Sequence, residues 1–424
     1  MTLGTAHDAL AVQTAGLAGL PESTKDRRYL NIYLHVPFCR SKCHFCDWVQ
    51  QVPKADLLRN PEDSVRRRYI DALCTEIALR ADQFRHLPYV PYIMYWGGGT
   101  ASNLTMAETE RVFSAIAANY DLGQVAEATI ECSPDTVTPE RLRHYRELGF
   151  TRLSSGVQSF SDSRLASLGR RHGAEQAMQL VSLARAAGFD DISIDVMCGF
   201  PDETLDEVVH TVTTAVGLDL THLCLYPFRP QAGTVLRRQI DRGDRTLYLA
   251  RQIAAYEAGA AIIRDAGYPD YAMSNFGRPA LQMTMNFQLR CETLGLGSGA
   301  VSFLDGMYRG HMAGRLHDYI ADPARWSALA PLSQPGVVAA ALRSGLELHD
   351  GLRRRQWEFM TGQSLADSLG QPELAPLMRF LRDRGGLIED GPGVRLPVQT
   401  LHRTLTSLSF HSALAMPEPP RHDG

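Results

Sequence analysis

Cys39-Arg40-Ser41-Lys42-Cys43-His44-Phe45-Cys46 closes an apolar stretch, Ile32-Tyr33-Leu34-His35-Val36-Pro37-Phe38. Three cysteines at CxxxCxxC spacing put three thiolates on one loop, enough to hold three irons of a cubane cluster. A four-iron cluster ordinarily takes four thiolates. Three leave one iron with an open position, and an open position marks chemistry rather than scaffolding. The alternative is zinc, with His44 or His35 as a fourth ligand. Zinc loops, however, favour C-x2-C pairs with a second pair elsewhere.

Outward from this loop the chain alternates between strand-like and helix-like segments. Strands are expected at residues 31–36, 92–96, 126–131, 151–155, 191–197 and 221–226. The intervening helices are signalled by capping boxes at Thr105/Glu108 and Thr204/Glu207. Another is signalled by Thr138-Pro139 as cap and first residue, with Gly149 as the stop. Such alternation predicts a parallel sheet with crossover helices. Ile93-Met94-Tyr95-Trp96 reads as a strand apolar on both faces. Six repeats are too few for an eight-fold barrel. The fold class is therefore α/β, a partial (β/α)6 barrel, with a doubly wound sheet as the alternative. Either one gathers functional residues at the C-terminal strand ends.

Those ends carry the chain's polar motifs. Gly97-Gly98-Gly99-Thr100 follows the second strand, where glycines let a ligand approach the backbone and its free N–H groups. Glu131 closes the third strand and can accept hydrogen bonds from a ribose or an ammonium group. Gln158 ends the fourth, and Arg170 follows in Leu168-Gly169-Arg170-Arg171-His172. Asp195 sits inside an apolar strand, where a charge is costly unless paired. A ligand hydroxyl or Arg170 is the expected partner.

Taken together, the cysteine loop and these four motifs resemble the radical S-adenosylmethionine (SAM) superfamily, and within it the branch of oxygen-independent coproporphyrinogen III dehydrogenase. The resemblance covers residues 29–305 well and the C-terminal part loosely. It implies a [4Fe-4S] cluster on Cys39, Cys43 and Cys46 and two molecules of SAM. Tyr33, Gly98, Glu131 and Val301 would border the first SAM. Phe45, Gly99, Thr100, Gln158, Arg170, Asp195 and Pro227 would border the second. Electrons would come from a flavodoxin or ferredoxin, since the chain has no flavin motif and no second cluster loop.

Departures within the branch set the expected activity. The porphyrinogen dehydrogenase has a further cysteine two residues past the third, where this chain has Trp48. The branch's heme chaperones read Cys-Asp-Phe, close to Cys46-Asp47-Trp48. They also carry His-Asn and Tyr-Trp pairs where this chain has Met285-Asn286-Phe287-Gln288-Leu289-Arg290. The Asn286-Phe287-Gln288 triplet looks like the dehydrogenase instead. Such a hybrid is most similar to the class C radical SAM methyltransferases and cyclopropane-forming enzymes. The expected reaction is then methyl or methylene transfer from the second SAM to an sp2 carbon of a small natural-product intermediate. His35, Glu131 and Tyr226 are the candidate proton relays, and cyclopropanation would add a partner methyltransferase. The alternatives are a heme chaperone of the same family and coproporphyrinogen III dehydrogenation.

The 424 residues, 44% of them apolar, suffice for a large barrel and a smaller domain. No apolar run approaches the ~18 residues of a membrane span, and no signal peptide is expected. A net charge of −4 without a basic block excludes a nucleic-acid footprint. Eight cysteines without an export signal read as reduced and cytoplasmic. The five outside the loop read as small buried hydrophobes. Residues 1–28 are expected to be an extension, 29–330 the barrel with a connector, and 331–424 a helical, winged-helix-like module.

Overall fold

The computed structural model describes residues 20–47, 64–311, 316–383 and 386–397. Six parallel strands run in chain order: β1 (Arg28–Val36), β2 (Tyr89–Gly98), β3 (Glu127–Cys132), β4 (Arg152–Gln158), β5 (Asp191–Cys198) and β6 (His222–Pro227). The helices between them begin and end as their caps require. Thr105 with Glu108 and Thr204 with Glu207 form complete capping boxes. Thr138 caps the helix Pro139–Leu148, and Gly149 ends it at φ 101°.

The segment after β6 contains more strand than its sequence suggests. Two short strands, β7 (Asp270–Ala272) and β8 (Asn275–Gly277), lie antiparallel beyond β6. The glycine-rich stretch read as a loop-rich connector forms β9 (Glu292–Leu296), which pairs parallel with β1. Antiparallel strands β10 (Val301–Leu304), β11 (Met307–Gly310) and β12 (Ala328–Pro331) extend the sheet from there. The parallel part thus has seven strands among the described residues, and the twelve-stranded sheet stays open at both edges. Gly295 serves packing within β9, while Gly297 and Gly299, at φ 101° and 84°, make the turn that follows it. A Cβ on Gly295 would strike the Val301 backbone, and one on Gly297 would strike the Tyr69 hydroxyl and the His35 carbonyl.

The strands are not apolar on both faces. Ile32, Leu34, Met94, Trp96, Ala128, Ile130, Leu153, Ile192, Ile194, Leu223 and Leu225 form one buried core with the helices. Alternate residues face the other way and are polar: Glu127, Thr129 and Glu131 on β3, Asp191, Ser193 and Asp195 on β5, and His222, Cys224 and Tyr226 on β6. A curved, incompletely closed sheet has a lumen, and period-two alternation lines it. Of the five cysteines outside the loop, Cys132, Cys198, Cys224 and Cys291 are buried and Cys74 partly so.

Deep in this lumen, Arg152 at the start of β4 is buried 3.5 Å from Asp191. Burial alone would lower its pKa, but the nearby Asp191 and Glu127 carboxylates outweigh that and hold it above the usual value. Glu127 also accepts from the N–H groups of Leu281 (2.9 Å) and Gln282 (3.3 Å), at the start of the helix Leu281–Phe287. Removing one partner of a buried charge group leaves the other uncompensated. Arg152→Ala is expected to destabilise the fold by about 3–5 kcal/mol, read as a lowered unfolding midpoint. A midpoint matching the parent's would show that these charges do not hold the lumen together.

Residues 335–397 pack around a separate apolar cluster containing Val338, Leu342, Trp357, Met360, Leu369 and Met378. Three short strands, β13 (Leu352–Arg353), β14 (Ile388–Glu389) and β15 (Gly393–Arg395), pair antiparallel beside it. This part touches the barrel where the Met273 N–H donates to the Glu347 carbonyl (2.7 Å) and the His349 N–H donates to the Tyr271 carbonyl (3.0 Å).

Candidate functional site

The cysteine loop lies over the C-terminal end of β1 and is fastened to the turn Leu168–Arg171. The His44 N–H donates to the Leu168 carbonyl (2.9 Å), and its ring Nδ1 donates to the Ser167 carbonyl (2.8 Å). The Ser41 hydroxyl donates to the Gly169 carbonyl (3.3 Å). Gly169 has φ 72°, and a Cβ there would approach the His44 ring to 3.1 Å. Phe45 turns inward against Phe200, with ring centroids 6.1 Å apart. His44 is therefore committed to the scaffold. His35 is buried, with Nδ1 3.2 Å from the Tyr33 hydroxyl. Neither histidine that would complete a zinc site borders the cavity on which the three thiols open.

The three thiols border one cavity of about 440 Å3. Cys39 Sγ is 3.5 Å from the Thr100 hydroxyl, and the Arg170 guanidinium donates to Cys43 Sγ at 3.3 Å. Burial pushes the Cys39 thiol up, while the Thr100 bond and the Arg170 charge pull it down. Among the described residues no three His, Cys, Asp or Glu side chains converge on a single-ion site. The three thiols instead line one shared cavity, and soft thiolate donors are the ligands an iron–sulfur cluster takes. The backbone beside them is bare: a Cβ on Gly99 would meet Cys39 Sγ at 3.1 Å, and one on Gly98, at φ 104°, would meet the His35 ring at 2.5 Å.

Inside the cavity, Glu131 is held from two sides. The Tyr95 hydroxyl donates to one oxygen (2.6 Å) and the Gly98 N–H to the other (3.2 Å). Burial nonetheless pushes its carboxyl up to about 7, with the Asp195 charge adding to the rise. Tyr33 stacks on Tyr95 at 6.0 Å and 18°. Asp195 is also raised by burial, opposed by a hydrogen bond with the Cys224 thiol and the charge of Arg152. Its partner is thus Cys224 and not Arg170, whose other bond goes to the Gly156 carbonyl.

A second cavity of about 370 Å3 adjoins the first and shares Phe45, Cys46, Gln158, Asp195 and Tyr226 with it. Pro227, Met197, Met273, Met283, Arg229 and Glu347 complete much of its wall. Two of its residues hold left-handed backbone without being glycine, Gln158 at φ 73° and Ser274 at φ 64°. Such strain persists where surrounding structure enforces it, and it clusters at functional sites.

Of the expected site residues, Tyr33, Phe45, Gly98, Gly99, Thr100, Glu131, Gln158, Arg170, Asp195 and Tyr226 therefore come together with the three cysteines. Pro227 lines only the second cavity. His35 lies beside Tyr33, and Val301 at the start of β10; neither lines either of these two cavities. Tyr95, Ser154 and Gln282 line the site without having been singled out in the sequence. Trp48 and most of residues 49–66 lie outside the described residues.

A model of the radical SAM superfamily matches residues 33–215. The heme chaperone HemW of Synechocystis is 32% identical over 278 residues, 65% of this chain and 66% of that protein. HemW of Escherichia coli is 30% identical over 303 residues, 68% of this chain and 76% of that protein. Among solved structures, coproporphyrinogen III oxidase (HemN) of Escherichia coli superposes with a TM-score of 0.74 at 23% identity, over 96% of this chain and 93% of that one. That likeness establishes the fold. These relatives correct the expected activity: sustained identity runs to heme chaperones, and assignment to methyltransferases or cyclopropane-forming enzymes is withdrawn. The hybrid motifs mislead because they differ from the chaperones over a few positions, whereas the identity extends over about two thirds of the chain. The chain belongs to the radical SAM superfamily, with HemW-like and HemN-like homologues, and this membership implies a [4Fe-4S] cluster and SAM.

Proposed function

We propose that this chain is a heme-handling protein that carries its cluster on Cys39, Cys43 and Cys46 and binds SAM in the first cavity. The observation that carries this reading is the 30–32% identity to bacterial heme chaperones over about two thirds of the chain. The site is consistent with it. When bound, the cluster offers an open iron and a low-potential electron. The chain's own residues do the rest. Thr100 and Arg170 hold the Cys39 and Cys43 thiols. Gly98 and Gly99 admit a ligand against backbone. Glu131 accepts from its donors, while His35 positions Tyr33. The second cavity, bounded by Gln158, Asp195, Tyr226 and Pro227, is the place for a second SAM.

The division at residue 330 is part of the same proposal, supported by the separate apolar cluster beyond it. In the stretch 285–290 the side chains of Met285, Gln288, Leu289 and Arg290 are buried, and in this reading none of them contacts heme. Met285 is in the core with Leu20 and Tyr29, and Arg290 donates to Gln288 Oε1 (2.6 Å) and to the Leu20 carbonyl (2.6 Å). Those side chains fasten the segment that precedes β1. Titration with heme, followed by absorbance, tests the reading. A saturable equimolar complex that persists in Gln288→Ala is expected. Heme that stays unbound at equimolar protein would overturn it.

A further inference from the structure

The resemblance assigns Arg170 to the second SAM, but the guanidinium lies elsewhere. Arg170 lines the first cavity and not the second. Two bonds fix its direction. Nη1 donates to Cys43 Sγ at 3.3 Å, and Nη2 donates to the Gly156 carbonyl near the end of β4. The backbone beneath it is equally fixed. The helix Asp162–Ser167 ends in a turn whose Gly169 adopts φ 72°, and the Arg170 N–H donates back to the Leu165 carbonyl at 3.0 Å. The same turn receives the cysteine loop, through the bonds from His44 and Ser41. Arg170 and Cys43 are thus fastened to one short piece of backbone.

The charge of Arg170 meets sulfur instead of a carboxylate. Both of its bonds go to other atoms, one to a thiol and one to a carbonyl. Each acidic residue of the first cavity is engaged otherwise. Asp135 pairs with Arg40 at 3.6 Å, Glu131 accepts from Tyr95 and Gly98, and Asp195 bonds the Cys224 thiol. His172, two residues on, stays neutral, because burial and then the Arg170 charge bring its pKa down to about 4. A partly buried cation is costly unless compensated. The compensation that this geometry supplies is thiolate sulfur, and the Arg170 charge also favours the thiolate at Cys39.

Hydrogen bonds to the sulfurs are among the factors that set the potential of an iron–sulfur cluster. A cation beside the sulfur stabilises the more negative, reduced state. We propose that Arg170 sets the potential of the cluster: its guanidinium, held on Cys43 Sγ from the Gly169 turn and the Gly156 carbonyl, makes the cluster easier to reduce. The inference rests on the cluster reading above. With dithionite as reductant, dithionite is oxidised and the cluster gains one electron. The guanidinium keeps its proton, and no bond to the protein is made or broken. The Thr100 hydroxyl, 3.5 Å from Cys39 Sγ, carries no charge and has the lesser part.

Redox titration of the cluster-loaded protein without SAM, followed by electron paramagnetic resonance of the reduced cluster, tests the proposal without turnover. Arg170→Gln is expected to lower the reduction equilibrium at least about tenfold, a shift of about 59 mV for one electron. Arg170→Lys keeps the charge but loses the planar fork that bridges sulfur and carbonyl, and is expected to fall between. Arg171→Gln removes the same charge one residue along. Arg171 is exposed and donates to the Arg40 carbonyl at 3.4 Å, so solvent and salt screen it, and its variant is expected to keep the parental potential. A parental potential in Arg170→Gln overturns the proposal, and does so even if that variant binds SAM more weakly. An equal shift in Arg171→Gln overturns it too, since the effect would then be one of general charge. If Arg170→Gln takes up no iron, Arg170→Lys decides, and a parental potential there overturns the proposal. Iron analysis separates the two readings: a parent without iron sinks the cluster reading, whereas iron-loaded proteins of equal potential sink only the role of Arg170.

Discussion

Cys43→Ala is expected to abolish cluster assembly: iron after anaerobic reconstitution should fall from about four per chain to near zero. Three thiols is already one fewer than a four-iron cluster ordinarily takes, so the site has no spare ligand. His44 and His35 do not border the cavity that the thiols share, and so are not placed to substitute. The change should separate cleanly from folding. Cys43 is only partly buried, and trimming such a side chain away from the core typically shifts stability by about 0.5 kcal/mol or less. The cluster-free forms of parent and variant should therefore melt together, while only the parent takes up iron. Full iron loading of the variant would mean that Cys43 is not a ligand and that Arg170 merely packs against it.

Glu131→Gln is expected to weaken SAM binding by roughly 10–100-fold, the loss that accompanies a charged hydrogen bond worth about 1.5–3 kcal/mol. It should also erase a pH dependence. In the free protein burial holds this carboxyl protonated up to about pH 7. A ligand that donates hydrogen bonds to it prefers the carboxylate. Parental affinity should therefore rise as pH increases through about 7 and level off above it, whereas the glutamine variant should be flat. The same shift has the opposite sign for stability. A carboxyl whose folded pKa lies above its unfolded value stabilises the fold fully below the unfolded pKa, and that contribution is lost as pH rises through about 7. Equal pH profiles for parent and variant in SAM titrations would remove Glu131 from the binding site.

The strand ends were legible because the motifs there are compact: the cysteine loop, the glycine run and the carboxylates all fall where parallel strands stop. The lumen was legible too, but in a different register. Glu127, Thr129 and Glu131, or Asp191, Ser193 and Asp195, alternate with apolar residues, but only Glu131 and Asp195 stand out singly. Arg152 and, by the same parity, Tyr95 and Ser154 belong to that same polar face. β9 is hard to read because Gly295, normally a loop former, is required by close backbone packing against Val301, and the turn at Gly297–Gly299 follows it directly. The partner of Asp195 was hidden for a geometric reason. Arg170 follows a turn that sends it to Cys43, while Cys224 on the neighbouring strand comes alongside by parallel register. Function is the least legible, since departures at a few motif positions point away from the heme chaperones, whereas the identity to them extends over about two thirds of the chain.

The measurement that bears most directly on the central claim is an anaerobic heme titration of the cluster-loaded protein in the presence of SAM and a reductant, with the SAM products followed in the same sample. The account predicts a saturable equimolar heme complex without S-adenosylhomocysteine. Absence of a heme complex, accompanied by release of 5′-deoxyadenosine and S-adenosylhomocysteine together, would contradict it.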